Sequence, residues 1–516
     1  MSSFWKCRNQ ILAAVAATIG GFGLGTALGY TSPAMPDLRE RIARVETDMT
    51  PLSEEEESWI GGILNLGGLA SAIYVGLVLD VIGRKLTMLI LAPPFVAGWL
   101  LIGFATNSAM LITGRALLGF CGGSFSIAAP LYVTEIAEDR IRGALGSLLQ
   151  VMVVLGILFS YVVGAFISYK WLAVLCSFVP VIFFFSMIFI PETPRYLLTK
   201  GRASEASDSL TWLRQNLSAH EIEVELKQIE ASVNDVLAEK SSFRDLFEYR
   251  HLYPTSLMIG IMLFQQLSGV NAVIFYTTDI FHSAGASLPD YLSTIIFGVV
   301  QLSATVLSTL LVDKAGRKIL FLTSSAVMCV SLIALGIYFQ LKSEGKNEGL
   351  GWLPLVSLML FICAFSIGYG PLPWLLLGEM IPQKVKARAA SIVTMVNWIL
   401  CFVVTKFFRS IQEALTIQWC YWIFSVCCAV GFVFVLILLP ETKGKTFAEI
   451  DEYFGRRAGS KGSVFDEGME METKKKGESG GSEVSMKLSG PPAERKGRHW
   501  ANVQDTYSVG LSFYSK

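Results

Sequence analysis

Residues 265–276, QQLSGVNAVIFY, place Gln265, Gln266, Ser268 and Asn271 inside an otherwise apolar segment running from about Thr255 to Phe281. A segment of that length crosses a hydrocarbon layer of ~30 Å as a helix. Amides in such a helix are costly unless they meet partners or line a wet cavity. At ~100° per residue Gln265, Ser268 and Asn271 fall near one face, with Gln266 beside them. A single amide would read as glue between helices, whereas four polar groups on adjoining faces point to a pathway for a polar solute. Amides donate and accept without carrying charge, which suits a molecule with many hydroxyls and does not suit an ion. Gly269, in the same stretch, lets another backbone come close.

The rest of the chain reads as the membrane frame that positions these groups. Of 516 residues, 53% are hydrophobic and 16% charged, and the mean hydropathy is +0.52, too apolar for an ordinary water-soluble domain. Lys and Arg balance Asp and Glu at 42 each, so nothing in the net charge points to a nucleic-acid partner. The nine cysteines (Cys7, Cys121, Cys176, Cys329, Cys363, Cys401, Cys420, Cys427 and Cys428) are scattered, mostly within apolar runs. They read as reduced small hydrophobes with no disulfide framework and no metal site. There is no nucleotide-binding glycine loop and no nucleophile with a histidine partner, so no enzyme and no cofactor is expected. Lys6 and Arg8 precede an apolar run continuing to about Tyr30 without a small-residue cleavage site, which reads as an uncleaved first span.

Apolar runs recur at about 11–30, 59–79, 86–106, 109–132, 144–167 and 171–190. They resume at about 255–281, 291–312, 319–340, 353–377, 389–408 and 418–439. The expected architecture is all-α and integral to the membrane, with twelve transmembrane helices in two six-helix bundles. The domains are 1–191, a cytoplasmic loop 192–254, 255–440, and a tail 441–516, mostly disordered because from about Gly455 it is poor in large apolar residues. The connections 80–85, 135–142, 313–318 and 383–388 carry most of the basic residues of the short loops, which places both termini and the 192–250 interval in the cytoplasm. In that interval Ile222, Leu226, Ile229, Val233 and Val236 recur at helical spacing, predicting short amphipathic helices packed under the bundle. The loop 31–58 is then external and acidic, with Asp37 and Glu40 as solvated surface. The one Asn-x-Ser/Thr, at Asn216, falls in the cytosol by this topology, so external glycosylation is not expected.

The chain also repeats itself. DVIGRK at 80–85 returns as DKAGRK at 313–318, PETPR at 191–195 returns as PETKG at 440–444, and Glu135 with Arg142 is echoed by Glu379 with Arg388. Three echoes at matching places imply homologous halves, an architecture that builds a midplane site between two rocking bundles. Asp80, Arg84, Glu135, Arg142, Asp313, Arg317, Glu379 and Arg388 are candidates for a cytoplasmic latch. Intact pairs would favour the outward-facing state, and their rupture would open the inside. Gly370, Pro371 and Pro373 offer a hinge where the tenth span can break.

With these motifs the chain resembles the sugar porter family of the major facilitator superfamily, over about residues 11–454. The resemblance is carried by GRK after the second and eighth spans, GRALLGFCGG at 114–123, YVTEIAEDRIRGALG at 132–146 and PETPRYL at 191–197. QQLSGVNAVIFY, GPLPW at 370–374 and PETKG complete the set. Within the family it looks like facilitative glucose transporters and arthropod facilitated trehalose transporters. The resemblance implies sugar contacts from Gln150, Gln265, Gln266, Asn271, Gln301, Trp374 and Asn397. Gln301 and Ser366 depart from the Asn and Glu common in the best-known glucose carriers, which changes how hydroxyls are read. Proton-linked members pair a first-span Asp with the arginine matched by Arg115. Ile11 to Tyr30 contains no Asp or Glu, so the expectation is a uniporter of a neutral sugar, hexose or trehalose. The alternatives are a proton-coupled symporter and a non-transporting sensor that signals through the tail. The partners expected are the sugar and the bilayer, with the protein working as a monomer, in the plasma membrane or in an internal one.

Overall fold

A computed structural model of the chain describes residues 7–454 apart from 216, 239–242, 286–287, 383–384, 446–448 and 451, so the expectations for the tail beyond 454 and for Asn216 lie outside the described residues. Among the described residues the regular elements are helices and no strand occurs. The first half holds α1 (Arg8–Gly29), α2 (Thr31–Ala43), α3 (Glu54–Ile82), α4 (Arg84–Gly103), α5 (Ser108–Ile136), α6 (Asp139–Gly164) and α7 (Tyr169–Ile188). An interval follows with α8 (Pro194–Thr199), α9 (Ala203–Leu213), α10 (Ala219–Ala238) and a 3-10 turn at Phe243–Phe247. The second half holds α11 (Tyr249–Leu267), α12 (Val270–Ala284), α13 (Asp290–Ala315), α14 (Arg317–Ser343), α15 (Leu353–Ile367), α16 (Leu372–Met380), α17 (Lys386–Leu415) and α18 (Ile417–Leu438).

Twelve stretches among these are long and apolar enough to cross a membrane, the seventh made of α11 with α12 and the tenth of α15 with α16. Large apolar side chains point outward along them, Leu77 at 72% and Ile437 at 68% exposed, as a lipid-facing surface requires. The end of the bundle where α1 begins and the 194–247 interval lies is called proximal below, and the opposite end distal.

The sequence repeats are repeats of structure. Gly83 and Gly316 both sit between two spans with φ of +96° and +91°, a conformation that side chains resist. A Cβ at Gly83 would also stand 2.4 Å from Glu192, and one at Gly316 2.9 Å from Glu441. The carboxylates of the two PET motifs thus cap the two GRK turns. Glu192 accepts from the Lys85 amide at 2.9 Å, and Glu441 accepts from the amides of Arg317 and Lys318 at 3.0 Å each.

The interval docks beneath the first half. Thr193 caps α8, its hydroxyl accepting from the Tyr196 amide at 3.3 Å. Tyr196, Leu197 and Ala206 form a small core with Leu226 against it. Ile222 and Val233 are buried as their spacing predicts, on a helix of 20 residues rather than a short one, while the side chain of Val236 is outside the described residues. Arg214 donates to the Ile136 carbonyl at 3.0 Å and to Glu225 at 3.1 Å, and Asn9 donates to the Trp212 carbonyl at 2.8 Å.

Two readings of the 31–58 loop need correction. It contains α2, whose Pro36 and charged residues hid it. Asp37 is not solvated surface: it accepts from the Tyr169 amide at the start of α7 at 2.8 Å and pairs with Arg41 one turn on. Glu40 does lie exposed, paired with Arg44.

Candidate substrate pathway

The polar stretch marks a break in the seventh span. α11 ends at Leu267 and α12 begins at Val270, with Gly269 between them at φ +80°. A Cβ there would stand 2.4 Å from the Phe424 ring, so both its conformation and its surroundings demand glycine. The Ser268 hydroxyl returns to the Gln265 carbonyl at 2.6 Å, satisfying an acceptor that the break exposes. A second kink falls at Tyr276, with φ −116° and ψ 20°.

The tenth span breaks beside it. Gly368 leaves the helical region at φ −117° and ψ −84°, and Gly370 and Pro371 lie between α15 and α16. Pro373 is already the second residue of α16, where its missing N–H costs nothing, so it starts the helix and does not break it. Gly368 is where the helix leaves its regular path, a residue that the GPLPW motif does not include. A Cβ on it would meet Ser324 at 2.4 Å and the Leu320 carbonyl at 2.7 Å.

Gln265 ties the two breaks together. Its amide nitrogen donates to the carbonyls of Tyr369 at 2.6 Å and Gly370 at 3.3 Å, and its oxygen accepts from Asn397 at 2.9 Å. Asn397 also donates to Met262 Sδ at 3.4 Å. Gln265 and Asn397 are thus held within the protein, both buried. Among the described residues the Gln266 side chain makes one hydrogen bond, accepting from Asn271. Gln301 and Ser366 are buried, and neither Gln301 Oε1 nor Ser366 Oγ has a hydrogen-bond partner among the described residues. Trp374 stands 39% exposed on α16, and Gln150 is half-buried on α6. The two breaks therefore bring Gln265, Asn397, Gln266 and Asn271 into one region, and α6, α13 and α16 carry Gln150, Gln301 and Trp374.

At the proximal end the charged residues form two matching sets. Arg84 donates to Glu135 at 2.9 Å, and Thr193 donates to the other oxygen of that carboxylate at 2.6 Å. Arg317 donates to Glu379 at 2.9 Å, and Thr442 to its second oxygen at 2.9 Å. Asp80 lies 3.7 Å from Arg84 and is 80% exposed; the side chain of Asp313 is outside the described residues. Among the described residues Glu135 and Glu379 thus pair across helices, with Arg84 and Arg317. Each carboxylate stands in the last turn or two of its helix, facing the arginine just past the GRK turn, while Arg142 is exposed and donates to the Ala137 carbonyl at 3.2 Å. Burial raises the Glu192 carboxyl above the ordinary carboxylate range, although the amides of Thr193 and Lys85 pull the other way.

Polar contacts between the halves gather at the distal end and the middle. Ser32 meets Thr278 at 2.9 Å, the Tyr161 hydroxyl donates to the Ile274 carbonyl at 2.8 Å, and Asn65 donates to Thr405 at 2.8 Å. Sequence reasoning passed over these residues because nothing in their spacing joins them. Arg115 is 1% exposed. It donates to the Ile60 carbonyl at 3.1 Å and to the Ala27 carbonyl, and its guanidinium lies 5.5 Å from the centre of the Phe275 ring. Among the described residues no carboxylate bonds it.

Residues 10–454 match the family profile described as Sugar (and other) transporter. The chain belongs to that family. It is thus a multi-pass membrane protein of a transporter family, not an enzyme. A Facilitated trehalose transporter Tret1 of Polypedilum vanderplanki is 42% identical over 448 residues, 86% of this chain and 87% of the relative. The one of Bombyx mori is 40% identical with 86% of each chain covered. The one of Anopheles gambiae is 41% identical, but the match spans 56% of that longer protein. Among solved structures, the proton:xylose symporter XylE bound to 6-bromo-6-deoxy-D-glucose superposes with a TM-score of 0.72 at 23% identity, over 87% of this chain and all of that one. An inward open conformation of XylE from E. coli gives 0.71 at 22% identity, covering 85% of this chain and 98% of that one. The transporter has the major facilitator fold.

Proposed function

We propose that the protein is a uniporter that carries a neutral sugar, hexose or trehalose, down its gradient by alternating access between the two halves. The sugar class rests on the family and on uncharged amides at the broken seventh span. Trehalose is favoured over other sugars by relatives that carry it in their names at 40–42% identity. The observation that carries uniport is Arg115: buried, bonded to backbone carbonyls of α1 and α3, and without a carboxylate among the described residues to take a proton beside it. Gln150, Gln266, Asn271, Gln301 and Trp374 are the proposed sugar contacts. Gln265 and Asn397 share that task with holding the two helix breaks. The basic proximal end is read as cytoplasmic, in the plasma membrane, and the monomer as the working unit. The intact proximal pairs Arg84–Glu135 and Arg317–Glu379 each lie within one half, so, unlike the expected latch, they do not hold the halves together; with its distal contacts closed, the structure is read as inward-facing. The domain division at 191, 254 and 440 follows from the same reading. The test is uptake of labelled trehalose and labelled glucose by liposomes containing the purified chain. Saturable uptake of one, competed by its unlabelled form and weakened by Gln266→Leu, is expected; uptake of neither would overturn the reading.

A further inference from the structure

Four charged side chains meet between the halves at the distal end. Arg39 on α2 and Glu57 on α3 come from the first half; Asp279 on α12 and Arg409 on α17 come from the second. Arg39 Nε donates to both oxygens of Glu57 at 3.0 and 3.1 Å. Its two Nη atoms donate to the two oxygens of Asp279 at 3.1 and 3.0 Å. Arg409 donates to Glu57 and, at 3.2 Å, to Asp279. Each arginine therefore bridges both carboxylates, and each carboxylate is shared by both arginines. The Glu57 side chain is 8% exposed and that of Arg409 21%. Although partial burial opposes the charge on Arg39, Asp279 and Glu57 outweigh it and raise its affinity for its proton.

We propose that Arg39, Glu57, Asp279 and Arg409 form a four-charge lock that holds the distal ends of the two halves together and must part before the transporter can load from that side. The pairing pattern makes the lock reversible. Two of its contacts cross between the halves, Arg39 to Asp279 and Arg409 to Glu57. The other two lie within a half, Arg39 to Glu57 and Arg409 to Asp279. When the halves separate, each leaves with one arginine still on one carboxylate, so no charge is stranded. An isolated buried pair would instead strand two, which is what makes breaking such a pair costly. The lock continues inward along the α3–α17 seam. Lys406 lies over the Trp59 ring at 4.7 Å, and Cys401 donates to Asn65 at 3.2 Å. Arg409 also lies over the Tyr276 ring at 5.4 Å, so the lock grips α12 at its kink.

The inference rests on alternating access, and its test is independent of which sugar is carried. Cys401 is 3% exposed and lies on the seam that distal opening would separate. The full chain in detergent is treated with a membrane-impermeant maleimide, and labelling of Cys401 is timed against a Cys401→Ser control. Arg39→Gln and Arg409→Gln each remove a contact that crosses between the halves and should speed that labelling roughly tenfold, a shift of one decade in the closed-to-open ratio. Arg39→Lys and Arg409→Lys keep the charge, lose the bidentate fork and should fall between; they stand in if a Gln variant does not fold. Wild-type labelling rates in all the folded variants would overturn the lock. Failure of the sugar reading has a different signature: faster labelling in the variants with no sugar flux in any of them.

Discussion

Gln265 and Gln266 are neighbours in sequence with unequal work, and substituting each by leucine separates their roles. Gln265→Leu removes the donor to the Tyr369 and Gly370 carbonyls and the acceptor of Asn397, all in a buried region. Leaving a buried polar group unpaired costs about 1–3 kcal/mol. The Tyr369 bond at 2.6 Å is the shortest of the three, and the Gly370 bond at 3.3 Å contributes least. Two groups effectively stranded give a loss of about 2–6 kcal/mol. A chain this long shifts its melting temperature by about a degree or two per kcal/mol, extrapolating from smaller domains, so the loss corresponds to roughly 2–12 °C, centred near 6 °C. Gln266→Leu gives up one contact, with Asn271, and should melt within about 2 °C of wild type. Gln266 is a proposed sugar contact, so its loss removes one hydrogen bond, about 0.5–1.5 kcal/mol, and should raise KM roughly 2- to 13-fold with little change in the maximal rate. Thermal unfolding in detergent and uptake kinetics in liposomes read the two quantities separately. The reasoning is refuted if Gln265→Leu melts with the wild type, or if Gln266→Leu is the less stable of the two.

Glu135→Gln leaves the near-buried Arg84 guanidinium with exposed Asp80, the Leu79 carbonyl and the neighbouring Glu192 carboxylate, and should cost about 2–4 kcal/mol in unfolding experiments, less than a fully stranded charge because these partners remain. Glu379→Gln should do the same in the second half; a matched pair of losses supports the repeat, and a silent Glu379→Gln would break the equivalence. Gly83→Ala asks a side chain to adopt φ +96° within 2.4 Å of Glu192, and should lower stability by at least ~1–2 kcal/mol and slow transport, read by thermal unfolding and uptake. Trp374→Ala should weaken sugar binding more than it affects folding, because the ring is 39% exposed; equal transport kinetics would remove it from the contact set.

Local chemistry made much of this architecture readable before the structure. Twelve apolar runs, the GRK glycines and the PET carboxylates are short-range signals, and they reappear as spans, positive-φ turns and the caps on those turns. Amides in an apolar run likewise announced a special place in the seventh span. What they did not announce was the break itself, since Gly269 is one glycine among 46 until Phe424 is seen packed against it. Glu135 stands seven positions before Arg142 in its motif, and nothing there shows that the fold brings it Arg84, from the start of α4 and 51 positions away. The distal lock was illegible for the same reason at longer range: Arg39 and Asp279 are 240 positions apart and Glu57 and Arg409 are 352 apart. Each of the four reads alone as an ordinary charge near a helix end. α2 was hidden because its proline and its charges imitate a loop, although Pro36 fits within a helix on the distal surface.

The central claim is facilitated carriage without a coupling ion, and imposing a proton gradient on sealed liposomes that contain the purified chain tests it most directly. Labelled trehalose and labelled glucose are supplied in turn, and the internal concentration is followed to its plateau with and without the gradient. A plateau equal to the external concentration in both conditions, for at least one of the sugars, is the predicted result. Accumulation above the external concentration that collapses when protons equilibrate would contradict it, and would require a titrating group in the path that Arg115 and the acid-free first span do not provide.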